Sequence, residues 1–140
     1  MSLENISIKV ETAGVFSVGN VNALLSEIAA GLAKVIATGE TTVIDLQSLP
    51  FAPGEYEQLR QTLGQGEVTA RIEAIGTSEV IETRCPGVWW LTHCNIEGDI
   101  VADVIEITAI PEILKSQPED VCAGLDRLNA MLSQPAPRND

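Results

Sequence analysis

Between Glu79 and Pro111 the chain carries both of its tryptophans, its only histidine and two of its three cysteines, in segments with the composition of β-strands. Glu79–Thr83, Val88–Cys94 and Asp99–Ile107 are short, rich in β-branched and aromatic residues, and separated by turn formers. The last two are joined by Asn95-Ile96-Glu97-Gly98, a loop of hairpin length whose glycine can take a positive φ. Strands joined this closely pair antiparallel, so the run predicts a meander. Such a sheet must bury at least one face, and the rest of the chain has to supply the cover.

Val21–Ile36 meets that need. Val21, Leu24, Leu25, Ile28, Leu32, Val35 and Ile36 recur at helical spacing, with Asn20 as the expected N-cap and Gly39 as the stop. Thr41–Leu46 reads as a strand between Gly39 and Pro50. A helix is expected over Pro53–Leu63, with Pro53 in its first turn, Glu55 and Glu57 at the positive end of its dipole, and Gly64 at its end. Glu67–Ile75 alternates as a strand does, before a turn at Gly76-Thr77-Ser78. Ser116-Gln117-Pro118-Glu119 has capping-box spacing ahead of a helix bearing Val121, Leu125, Leu128 and Leu132 on one face. Ile6–Phe16 is expected as a first strand, interrupted by Gly14. The order of elements predicts an α+β fold, an antiparallel meander with helices packed on one face. With 140 residues, no repeat and no linker, the expectation is one domain over residues 1–134 and a flexible tail over 135–140.

Twenty acidic against eight basic side chains give a formal charge of −12. That balance opposes approach to nucleic acid or an anionic membrane and favours a basic peptide or protein segment as partner. No apolar run reaches the roughly 18 to 20 residues needed to span a bilayer, and the N-terminal MSLENISIKVE lacks a basic region followed by an apolar one, so the expected location is the cytoplasm. An odd count of cysteines without a CxxC pair fits reduced thiols.

His93 and Cys94 are adjacent, and Cys85 lies one segment back, which raises a metal site or a thiol pair. Successive strand residues face opposite ways, so His93 and Cys94 do not converge on one ion unless the strand is distorted. No second histidine completes a zinc-type set. Cys85 precedes Pro86 outside any glycine-rich or helix-N-terminal setting that would activate a thiol. Gly64-Gln65-Gly66-Glu67 has too few glycines, and an acid in place, for a phosphate loop. The reading is therefore a non-enzyme without cofactor or metal, with a thiol-redox or metal-delivery protein using Cys85, His93 and Cys94 as the alternative. Trp89 and Trp90 must face opposite sides of a strand, so one can anchor the core while the other meets a partner or a second copy, unless both faces are covered.

Several separated blocks carry a resemblance. Leu49-Pro50, Pro53-x-Glu55, Leu63-Gly64-Gln65-Gly66-Glu67-Val68, Ile81-Glu82-Thr83, Gly87-Val88-Trp89 and Ile105-Glu106-x-Thr108-x-Ile110-Pro111 occur in the order found in HupH/HyaF proteins, accessory factors for maturation of uptake [NiFe] hydrogenases. The chain resembles the C-terminal conserved region of that family over about residues 46–114. The resemblance implies a cytoplasmic, non-catalytic assembly chaperone that binds an immature hydrogenase subunit, the iron–sulfur small subunit foremost, or another maturation factor. The patch it offers as contact surface is Glu82, Thr83, Gly87, Trp89 and Trp90. Self-association through a tryptophan face is a further expectation for partners.

Overall fold

The computed structural model describes residues 13–135, and side chains from residue 20 onward. Its elements are α1 (Ala13–Thr38), β1 (Thr42–Asp45), α2 (Glu55–Leu63), β2 (Thr69–Ala74), β3 (Gly76–Glu82), β4 (Val88–Cys94), β5 (Ile100–Ile107) and α3 (Pro118–Leu132). All five strands form one open antiparallel sheet in the order β1-β5-β4-β3-β2. The meander runs from β2 to β5, and β1 joins it along β5, so the α+β expectation holds. The residues divide into two compact units, 1–109 and 110–140.

In the first unit, alternation decides which side of the sheet is covered. Val88 and Trp90 of β4 stand in register with Ile107 and Ile105 of β5, and Ile105 with Ile44 of β1. These side chains form one core with Val21, Leu24 and Ile28 of α1 and Leu59 and Leu63 of α2. Both helices thus cover the same face. Gly31 sets how near α1 comes: a Cβ there would lie 2.6 Å from Ile107 Cδ1. Gly39 ends the helix as expected, with φ of 77° and its N–H donating to Val35 O at 2.8 Å.

Several expectations are corrected. The Ile6–Phe16 strand lies outside the described residues up to residue 12, and residues 13–16 are helical. Asn20 is therefore inside α1 rather than its N-cap; weak local propensity does not stop a helix whose downstream face is anchored in a core. Within α1, Asn20–Thr38 is long and apolar enough by composition to cross a bilayer, although polar residues interrupt it, and Val21, Leu24 and Ile28 on one side of it lie in the core. Helix α2 starts two residues later than expected, after Gly54 at φ 87°. Pro53 sits in the turn before it, and Glu55 is buried with Oε1 accepting the Ala52 N–H.

The second unit contains a 3₁₀ turn at Glu112–Leu114 and helix α3. The Ser116 capping box does not form. Pro118 takes the first helical position, which makes Gln117 rather than Ser116 the N-cap, and Gln117 makes no side-chain cap bond. Val121, Leu125, Leu128 and Leu132 do line α3, and all are exposed. Of the tail expected over 135–140, residues 136–140 lie outside the described part.

Candidate functional site

The residues singled out from sequence surround the junction between β3 and β4, where the chain must reverse within five residues. Thr83 anchors it. Its N–H and its hydroxyl both reach Val88 O, at 3.0 and 2.9 Å, and its oxygen accepts the Cys85 N–H at 3.1 Å. Gly87 has a φ of 95°, a conformation that favours glycine, and a Cβ there would have to displace the Leu32 Cδ2 methyl, 2.9 Å away. Glu82 ties the preceding loop to the sheet: Oε1 accepts the N–H groups of Glu67 and Val68, at 3.1 and 3.2 Å. Arg84 donates from Nη2 to Gln61 O and Thr62 O, satisfying carbonyls at the end of α2. Arg84, Cys85 and Pro86 are exposed, and together they form a loop held in place by Glu82, Thr83 and Gly87.

Both tryptophans are buried, Trp89 with 6% and Trp90 with 3% of its surface exposed. As expected for neighbours on a strand, they face opposite sides: Trp89 pairs across with Glu82 and Glu106, Trp90 with Ile81 and Ile105. Trp89 Nε1 donates to Thr108 O at 3.1 Å, and Trp90 Nε1 to Asp103 Oδ1 at 2.8 Å. The structure thus gives both rings a satisfied, covered position.

Trp90 leads to a cluster that reading the sequence did not single out. Asp103 is 4% exposed and accepts three hydrogen bonds, from Trp90 Nε1, from Thr92 Oγ1 at 2.9 Å and from Tyr56 Oη at 2.5 Å. The Arg60 guanidinium lies 4.7 Å from the Trp90 ring centroid, a cation–π distance, and Tyr56 meets the same ring edge-on. Arg60, Gly64, Gln65, Ile81 and Trp90 line a pocket of about 210 Å³ beside it. The signal was present: Asp103 sits at the i−2 and i−4 positions of the apolar stripe Ile105 and Ile107, where an acid needs buried partners.

Burial, then the Asp103 hydrogen bond and charge, push the Tyr56 phenol from 10.0 up to about 12. The fold therefore favours the neutral phenol. That contribution to stability is fully present below pH 10, the unfolded value, and is lost as pH rises toward 12. Tyr56 is the only tyrosine, so absorbance of the tyrosinate reads it directly. A midpoint near 12 is expected in the folded protein, and Asp103→Asn should lower it only part of the way, because burial is the larger cause. A midpoint at the ordinary value in folded protein would contradict the assignment.

Cys85, His93 and Cys94 are not brought together. Cys85 lies in the exposed loop before β4 and Cys94 ends that strand, whose seven residues span roughly 20 Å. His93 pairs with Ser78 and Cys94 with Thr77, on opposite faces, and His93 Nδ1 lies 2.6 Å from Ser78 Oγ. The register shift opposite this point falls on β5, which skips Val101, and leaves the alternation of β4 intact. Among the described residues no group of three His, Cys, Asp or Glu side chains could hold a metal ion.

Comparison with known proteins gives a consistent picture. The model of the C-terminal conserved region of HupH hydrogenase expression protein matches residues 18–134, a wider span than 46–114 that takes in most of α1 and all of α3. The hydrogenase expression/formation protein HoxQ of Azotobacter vinelandii is 31% identical over 85 residues, covering 61% of this chain and 30% of that protein. HupH of Rhodobacter capsulatus is 30% identical over 113 residues, covering 81% of this chain and 41% of that protein. The chain spans about a third of the length of the first such relatives. The solved structure of the hydrogenase expression protein HupH from Thiobacillus denitrificans is similar at 42% identity and a TM-score of 0.79, over 82% of this chain and 96% of that one.

Proposed function

The chain belongs to the family defined by the C-terminal conserved region of HupH hydrogenase expression proteins, and from that premise we propose that it serves as an accessory factor in hydrogenase formation, acting by binding protein rather than by catalysis. The observation that carries this reading is the family match over residues 18–134. Its client is an immature [NiFe] hydrogenase subunit, the iron–sulfur small subunit foremost, or another maturation factor, met in the cytoplasm. The charge of −12 supports a client surface with basic character.

Glu82, Thr83, Gly87, Trp89 and Trp90 contribute by shaping what the client touches. The first three hold the exposed loop Arg84–Pro86, and Trp90 forms a wall of the Arg60–Gln65 pocket. Affinity capture from cells producing hydrogenase, with bound proteins identified by mass spectrometry, tests the reading. Wild type and Cys85→Ser should recover a hydrogenase subunit or a known maturation protein, while Cys85→Arg, which places bulk and charge at the exposed loop, should recover it at least about tenfold less. Recovery of none by wild type would refute the accessory reading. Loss in Cys85→Ser alone would transfer the function to thiol chemistry.

A further inference from the structure

Among the described residues β2 is an edge strand, bonded to β3 on one side only. Which of its backbone groups point outward follows from two hydrogen bonds. Glu82 N–H donates to Val68 O at 2.9 Å, and Thr83 N–H donates to Val88 O at 3.0 Å. On β3, therefore, the even residues bond toward β2 and the odd residues toward β4. On β2, residues 70, 72 and 74 then bond inward, and Thr69, Arg71 and Glu73 direct their N–H and C=O groups to the free edge.

Charges on an edge strand ordinarily deter pairing with another chain. Here the two charges have opposite sign and stand two residues apart, both with 63% of the side chain exposed. In the single chain they hydrogen-bond to each other along one side of the strand, which holds the Glu73 carboxyl below and the Arg71 guanidinium above their ordinary values. An antiparallel pair of such strands related by a two-fold axis at Ile72 sets Arg71 of each copy directly opposite Glu73 of the other. That register also pairs outward-facing residues with outward-facing residues, as a hydrogen-bonded ladder requires. Shifting the axis to residue 71 puts Arg71 against itself, and shifting it to residue 73 puts Glu73 against itself. Charge alone thus selects one register.

Apolar contacts agree with it. The two copies of Ile72, half-buried in the single chain, become neighbours on the opposite face, and Ile75, 90% exposed, comes to lie across from Thr69. We propose that the free edge of β2 is a self-association surface, on which a second copy of this chain pairs antiparallel about Ile72 and extends the sheet across the two-fold axis. This surface is separate from the Arg84–Pro86 loop, and its test does not depend on the hydrogenase reading.

Sedimentation analysis over a concentration series tests it with charge reversals. Wild type should show a monomer–dimer equilibrium that weakens with added salt. Arg71→Glu and Glu73→Arg each turn two attractive pairs into two repulsive ones and should raise the dimer dissociation constant at least about tenfold. The double exchange, Arg71→Glu with Glu73→Arg, should restore association, and so should mixing the two single variants, since their edges are complementary to each other. A chain that stays monomeric throughout, single reversals that leave the dimer intact, or a mixture that fails to associate would each overturn the proposal.

Discussion

Replacing Asp103 by alanine lowers stability by about 3–4 kcal/mol, measured by urea denaturation followed by circular dichroism. The carboxylate accepts from Trp90 Nε1, Thr92 Oγ1 and Tyr56 Oη, and it is almost wholly buried. Alanine removes all three hydrogen bonds at once. The indole N–H is buried, so it carries most of the desolvation penalty, whereas the two hydroxyls are part-buried and can turn toward solvent. Relief of the buried charge returns some of the loss, which is why the three contacts do not simply add. Asp103→Asn is the control. Its amide oxygen can still accept from the indole, so it should cost about half as much. A loss below about 1 kcal/mol for Asp103→Ala would mean that the cluster is re-satisfied elsewhere and does not hold Trp90 in place.

The position of Trp90 matters because this core ring also borders the pocket lined by Arg60, Gly64, Gln65 and Ile81. Trp90 belongs to the same core cluster as Val88, Ile105 and Ile107, while Arg60 stands over its ring and borders the pocket with Gln65 and Ile81. Loosening the ring should therefore alter the pocket as well as the stability. In Asp103→Asn, which is expected to remain folded, a change in client capture without loss of the sheet would connect the two.

Periodicity made most of the sheet legible, although Gly76-Thr77-Ser78, expected as a turn, forms the first residues of β3. Val88–Cys94 came out with the boundaries seen, and the Asn95–Gly98 loop closes as a hairpin turn with Gly98 at φ 91°. These features depend on local alternation and turn chemistry, which a single sequence displays. The start of α1 did not follow from local signals, since Asn20 looks like a cap and Gly14, Ser17 and Gly19 are weak helix formers. Nor did the placing of β1 beside β5, a pairing between residues more than fifty positions apart. At the site, adjacency told correctly that Trp89 and Trp90 face apart. Whether either would be covered depended on Thr108 and Asp103, which meet them only across the folded sheet.

Gly76→Ala is expected to be comparable in damage to the loss of Asp103, for a reason invisible in the residue's own neighbourhood along the chain. Gly76 opens β3 immediately after the turn from β2, with φ of 82°. A side chain in that conformation costs about 1–2 kcal/mol by itself. Space adds the larger obstacle. A Cβ built there lies 2.0 Å from Cys94 O and 3.1 Å from Asn95 Cα, all backbone atoms of the neighbouring strand end, so no rotamer change relieves the contact. The β3–β4 ladder must open where Thr77 pairs with Cys94, and a cost of about 3 kcal/mol or more follows. Gly98→Ala separates the two contributions, because Gly98 has a φ of 91° and nothing within 4 Å of the added carbon. It should show the torsional part alone, about 1–2 kcal/mol. Equal losses in the two variants, measured by the same denaturation, would show that the strand end yields freely and that packing against Cys94 and Asn95 is not what fixes the turn. A larger loss at Gly76 would place the constraint in the approach of the two strands, where Cys94 O and Asn95 leave no room for a side chain.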